Sequence, residues 1–259
     1  MRYLLALIIA VGLAACETAP TGPASKPAFT RADVIRGFDR VAFGREFADA
    51  DSDRVLKYAE PIRPVIVHEP NDLQSIRRVR FVFQTIEGFY RAPVIERLET
   101  VEIRSIREGQ LDPFNFVIYA LGRDSYEILL NRLESRLAGN PKLWNQYELS
   151  RCSGFFGGDG SHDLRTFIIV DVDNPLHDMQ ECFFEEILQG LGLPDDDDGL
   201  IWSLFNDSND VHIPGAFDNL LVSILYSDAI RPDMPRAQVQ ALVPAIVDDL
   251  WPLYQASDG

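Results

Sequence analysis

Apolar positions recur along this chain with two periods, and their alternation predicts the order of its elements. Val34, Ile35, Phe38, Val41, Ala42 and Phe47 fall at helical spacing. Thr30 stands where that helix needs an N-cap, with Asp33 three residues on as an imperfect capping box. Ile62–His68 alternates around Pro61 and Pro64 and reads as an edge strand, since proline cannot donate to a ladder. Asp72 caps a second helix, through Phe89, whose apolar face is Ile76, Val79, Phe83, Ile86 and Tyr90. Between Val94 and Ile106 the pattern alternates again and predicts one or two strands. Phe114–Leu121, FNFVIYAL, is an almost continuous apolar run, the mark of a central strand. A helix follows over Arg123–Leu137 and stops before Gly139 and Pro141.

Residues 140–161 are rich in glycine and polar positions, which predicts a flap or hairpin. Leu164–Asp173, LRTFIIVDVD, is the strongest strand. The helix after it takes Asp178 as N-cap and runs to about Leu191. It ends on Gly192, a residue free to adopt the positive φ of a C-terminal cap. Phe217–Tyr226 and Ala237–Leu253 read as the last helices. This mixture predicts an α+β domain, a mixed and twisted sheet with helices on one side.

The first 28 residues follow a different logic. Arg2 precedes an apolar run, Leu4–Leu13, and Leu13-Ala14-Ala15-Cys16 closes it. A charged start, an apolar stretch of about ten residues and small residues before a cut describe a secretory signal. Cysteine directly after Leu-Ala-Ala is the pattern of a bacterial lipobox, which implies cleavage before Cys16 and lipid on its sulfur and amino group. Glu17 stands next, and the absence of Asp there favours the outer membrane, facing the periplasm. Residues 1–15 are then the signal peptide. Residues 16–28, rich in Pro, Thr, Ala, Gly and Ser, form a flexible tether, and 29–259 a single globular domain.

Charge narrows the function classes. The formal net charge is −16, and removing residues 1–15 takes away Arg2 alone. Such a surface lacks the lysines and arginines that displace counterions from nucleic acid, so nucleic acid is excluded as a partner. The expected contacts are the membrane, through the lipid, and an envelope protein or peptide. With Cys16 lipidated, Cys152 and Cys182 remain as a pair in an oxidising compartment, which predicts a disulfide. Its loop of about 30 residues corresponds to roughly 3 kcal/mol of chain entropy.

The chemistry concentrates in Cys182–Asp195, CFFEEILQGLGLPD. Zincin peptidases carry two histidines at i and i+4 on one helical face, with a glutamate general base after the first. Glu185, Glu186 and Gln189 occupy those positions here, Gly192 the turn after the helix, and Asp195 the place of a third ligand. Glu186 is the candidate base; Glu185, Gln189 and Asp195 are the candidate lining or metal-binding residues. That set is all oxygen. It disfavours zinc, which prefers nitrogen and sulfur, and suits calcium, magnesium or manganese if any cofactor binds. A glycosidase needs two carboxylates facing each other across roughly 5 to 10 Å. The adjacent Glu185 and Glu186 cannot supply them without a partner such as Asp171, Asp173 or Asp207.

At CFFEEILQGLGLPDD, SLFND and LLVSILYSDAIRPDM the chain resembles a bacterial envelope family known only as domain of unknown function 2927. Val34-Ile35-Arg36-Gly37-Phe38 and Ala42-Phe43-Gly44 extend the likeness over nearly the whole mature chain. The resemblance implies a zincin-like layout in the second half of the domain, without the peptidase histidines. Its two cysteines correspond to Cys152 and Cys182. It carries no established activity. Three functions follow as expectations: a lipid-anchored envelope protein binding a peptide, cell-wall fragment or protein partner in a degenerate cleft; a metal-assisted hydrolase using Glu186; or a non-catalytic structural lipoprotein.

Overall fold

The computed structural model describes residues 29–44, 52–70, 73–89, 94–107, 109–137, 152–157 and 164–257. The lipobox, Cys16 and the tether lie outside them, as do the predicted end of the first helix at Phe47 and the Asp72 cap.

Helix α1 covers Arg31–Phe43. Thr30 and Asp33 form a complete reciprocal capping box: the Asp33 amide donates to Thr30 Oγ1 at 3.3 Å, and the Thr30 amide to Asp33 Oδ2 at 2.8 Å. Strand β1 is Pro64–His68, helix α2 Leu73–Phe89, β2 Glu99–Glu102, β3 Phe116–Leu121 and α3 Arg123–Leu137. Strand β4 is Cys152–Gly157 and β5 Arg165–Asp171. Helices α4, Leu176–Gly190, α5, Ala216–Leu225, and α6, Arg236–Ser257, follow among the described residues. No helix among the described residues is long and apolar enough to cross a membrane.

The five strands form one mixed sheet in the order β2-β1-β3-β5-β4. The first four run parallel; β4 pairs antiparallel with β5, Cys152 opposite Val170 and Gly157 opposite Arg165. This is the expected α+β class, with β3 at the centre. β1 is not an edge: it lies between β2 and β3. Pro64 is tolerated because it is the strand's first residue, where one missing donor leaves the rest of the ladder intact. Among the described residues β4 is one edge strand and β2 the other, and the glycine-rich stretch supplies the predicted hairpin arm through β4.

Strand alternation sorts the core. Ile66, Phe116, Ile118, Ala120, Ile168 and Val170 share a cluster with Val79, Val82 and Phe83 of α2 and with Phe183, Phe184, Ile187 and Leu188 of α4. The intervening residues Leu121 and Ile169 pack instead with Tyr126 and Leu130 of α3. Helices therefore cover both faces, not one. The apolar residues of β3 on both parities require this, because a sheet buried on one side would alternate with polar positions. Phe29 closes the far end of the main core, its ring 4.7 to 6.1 Å from those of Trp202, Phe217, Trp251 and Tyr254.

α4 is fixed at both ends. Near its start, Cys182 is bonded to Cys152 of β4, with Cα atoms 6.1 Å apart. Asp178 does not cap it; the helix begins after Pro175 without a side-chain cap, and Asp178 instead places its charge in the first turn, where it complements the helix dipole. At its end the Gly190 carbonyl accepts from Thr166 Oγ1 at 2.8 Å, and Thr166 Oγ1 accepts in turn from the buried Tyr58 hydroxyl at 2.7 Å. A Cβ on Gly190 would sit 2.5 Å from Thr166 Cγ2, so the helix approaches β5 only because this residue has no side chain. The Tyr226 hydroxyl donates to the Leu191 carbonyl at 2.8 Å. Gly192 then turns the chain with φ at 114°, where a Cβ would lie 2.3 Å from the Leu56 carbonyl oxygen.

Candidate acidic site on helix α4

Because α4 buries Phe183, Phe184, Ile187 and Leu188, its polar residues are confined to a strip. Within it two i, i+4 pairs point different ways, as the 100° step between neighbouring residues requires. Glu185 and Gln189 face the loop that follows Gly192. Cys182 and Glu186 face β4.

On the loop side, Gln189 is buried and its Nε2 donates to both oxygens of Asp196, at 3.1 and 3.2 Å, and at 3.5 Å to Glu185 Oε1. Carboxylate oxygens of Glu185, Asp196 and Asp207 all lie within 4.8 Å of one another. Asp207 is exposed and the other two are half-buried. No Lys or Arg among the described residues forms an ion pair with any of the three.

The loop holds this shape through its own hydrogen bonds. The Asp197 amide donates to the Phe205 carbonyl at 2.8 Å, Asn206 Nδ2 to the Asp198 carbonyl at 2.7 Å, and Ser208 Oγ to Asp198 Oδ1 at 2.7 Å. Beneath it lies Asp218, wholly buried at the start of α5. It accepts from Ser203 Oγ, from the Leu204 amide at 3.2 Å and from the Gly215 amide at 2.7 Å. The SLFND turn is therefore tied to α5 and to the acidic run at once.

Crowding sets the electrostatics. Burial, then the charges of Asp196, Glu186 and Asp207, raise the Glu185 pKa well above the ordinary carboxylate range. Burial and Asp207 raise Asp196 to about 6, against the opposing bond from Gln189. Burial raises Asp207, helped by Asp198 and Glu181. Glu185 and Asp196 are hydrogen-bonded to each other, an arrangement in which one carboxyl keeps a proton.

On the strand side, Glu186 lies against β4. A Cβ on Gly154 would be 2.0 Å from Glu186 Oε2, so the glycine provides the room for that carboxylate. Carboxylate and sulfur atoms of Glu186, Cys152 and Cys182 also fall within 4.8 Å of one another.

Comparison with known proteins now adds one decisive match: the model of the family "Protein of unknown function (DUF2927)" covers residues 31–245. The chain belongs to the DUF2927 family. No curated protein and no solved structure matches it.

In this DUF2927 chain, Glu185 and Gln189 come together, and Asp195 does not join them. Asp195 is buried beside the C-terminal end of α1, where Arg40 Nε lies 3.4 Å from Oδ2 and a Cβ on Gly44 would lie 1.8 Å from the same oxygen. Asp196 takes the expected place, one residue later. Asp195 is held instead by the Arg40 guanidinium of α1, and Asp196 is the residue that reaches Gln189. Asp207, a remote partner by its place in the sequence, is brought in by the SLFND turn. Asp171 and Asp173 are engaged elsewhere: Asp171 Oδ2 pairs with Arg123 Nη2 at 2.6 Å, and Asp173 Oδ2 accepts from the Arg123 amide at 2.8 Å. Glu185 and Asp196 touch directly, too close to leave room for the sugar between two glycosidase carboxyls.

Proposed function

We propose that this DUF2927 protein is a lipid-anchored protein of the cell envelope, held by Cys16 in the outer membrane. There it binds an extended peptide or cell-wall peptide carrying an ammonium or guanidinium group. The observation that carries the reading is the convergence of Glu185, Asp196 and Asp207, with no Lys or Arg among the described residues paired to them. Like charges gathered at a half-exposed surface cost stability, and a ligand cation relieves that cost. β4 offers an outer edge among the described residues, alongside α4, on which a peptide main chain adds as a further strand. This is the degenerate zincin reading: a helix under an edge strand, with recognition kept and the histidine ligands absent.

Pull-downs from envelope extract test it, with wild-type protein compared against Glu185→Ala, Asp196→Ala and Glu186→Ala. Loss of a retained partner with the first two supports the reading; an identical retained set with all three sinks it.

A second reading rests on the same 4.8 Å grouping, which also suits a hard divalent cation completed by water. Calcium, magnesium or manganese would be held by Glu185, Asp196 and Asp207. The donor set expected of a hydrolase is not the one assembled, since Gln189 turns its amide nitrogen to Asp196 and Asp195 faces Arg40. Metal analysis of protein purified without chelator discriminates: a stoichiometric hard cation supports the second reading, and metal-free protein that still binds peptide supports the first.

A further inference from the structure

The strand side of α4 carries a separate grouping. Cys182 and Glu186 occupy one face of the helix at i and i+4, and Cys152 projects to them from β4. Their ligand atoms lie within 4.8 Å of one another. We propose that reduction of the Cys152–Cys182 bond converts this group into a binding site for zinc.

The geometry fits the metal. Zinc–sulfur bonds of about 2.3 Å and zinc–oxygen bonds of about 2.0 Å at tetrahedral angles separate ligand atoms by roughly 3.2 to 3.8 Å. Glu186 already lies within 4.8 Å of both sulfurs, and opening the bond lets the sulfurs of two cysteines whose Cα atoms are 6.1 Å apart separate toward that spacing. Both elements are braced: β4 by its ladder to β5, and α4 by the Thr166 and Tyr226 bonds at its far end. Gly154 keeps the space in which the Glu186 carboxylate lies. Two thiolates and one carboxylate form a zinc ligand set that leaves a fourth position for water. The acidic group on the other strip, all oxygen, suits hard cations instead, so the two groups sort metals by softness.

Redox state controls the site. In the disulfide each sulfur is bonded to the other and neither is a thiolate ligand. A dithiol of the thiol–disulfide exchange class attacks one sulfur, passes through a mixed disulfide, and leaves as its own cyclic disulfide. Two electrons and two protons reach Cys152 and Cys182. Zinc then displaces one proton from each thiol. Cys182 is half-buried while Cys152 is 1% exposed, so the attack falls on Cys182.

The test uses the full chain in detergent, reduced anaerobically with a phosphine and titrated with cobalt as a spectroscopic stand-in for zinc. The reduced protein is expected to take one cobalt per chain with a thiolate-to-cobalt charge-transfer band, and the oxidised protein to show no such band. Glu186→Gln should weaken the uptake at least tenfold. A reduced, folded protein without the band overturns the inference, and so does unchanged affinity in Glu186→Gln. If reduction unfolds the chain, Cys182→His replaces it, since that variant cannot form the bond and needs no reductant. It is expected to bind one zinc, weakened at least tenfold by adding Glu186→Gln; no zinc uptake overturns the inference.

Discussion

Replacing Asp196 by Asn should make the domain more stable at neutral pH, the opposite of what most substitutions do. Asp196 sits among Glu185 and Asp207 with a folded pKa of about 6, against an ordinary aspartate value of 3.8. The direction follows from that difference. A carboxyl whose pKa is raised on folding holds its proton more tightly in the native state, so its contribution is favourable below pH 3.8 and lost as pH climbs to 6. Each tenfold change in proton affinity is worth about 1.36 kcal/mol, so at pH 7 the folded protein carries this charge at a cost of about 3 kcal/mol, most of which is gone near pH 4. Asn keeps the shape and an acceptor for Gln189 and removes the charge. Thermal unfolding in chelator-containing buffer is the assay. For a domain of this size roughly 2–4 °C accompany each kcal/mol, so Asp196→Asn should gain up to about 6–12 °C at pH 7 and only about 1–2 °C near pH 4. A loss of stability at pH 7, or equal gains at both pH values, would refute the reasoning. A stabilising change that also abolishes binding is the signature of a site kept at the expense of stability.

Other predictions probe the frame. Gly192→Ala must adopt φ near 114° and meet the Leu56 carbonyl, so it should cost about 2–4 kcal/mol in denaturant unfolding. Tyr58→Phe removes the donor to Thr166 and to the Asn115 carbonyl at 3.1 Å and should cost about 1–2 kcal/mol. Replacing both Cys152 and Cys182 by Ala opens a loop of 30 residues and should cost about 3–4 kcal/mol, read as a lowered midpoint with the helix content retained. Above pH 6 calcium should stabilise the wild type more than Asp196→Asn if the hard-cation reading holds, measured as the rise in melting temperature on adding the ion.

Much of the frame is legible in the residues. Helical spacing locates α1 through Val34, Phe38 and Val41, and the run around Ile118 marks β3 as central because both of its faces are apolar. Cys152 and Cys182 declare the bond that joins β4 to α4. One strand reading fails for a local reason: Pro64 suggests an edge where a first-residue proline sits inside the sheet. The glycine-rich stretch does supply a hairpin arm, and the missing side chain of Gly154 makes room there for Glu186. At the site, i, i+4 spacing pairs Glu185 with Gln189, since a helix fixes that relation by itself. Asp196 and Asp207 are out of its reach. Their positions depend on the φ of Gly192 and on Asp218 gathering Ser203, Leu204 and Gly215, contacts between segments that no periodicity records. The four-residue acidic run supplies the carboxylate that meets Gln189 but does not mark which of its residues does so.

The most direct test is the affinity of the wild-type protein for a cell-wall stem peptide with a free side-chain amine, compared with the same peptide acetylated at that amine. The carboxylate group of Glu185, Asp196 and Asp207 predicts binding of the free amine only, weakened at least tenfold in Asp196→Asn and weakened again at high salt. Equal affinity for both peptides, or binding indifferent to Asp196→Asn, would contradict it.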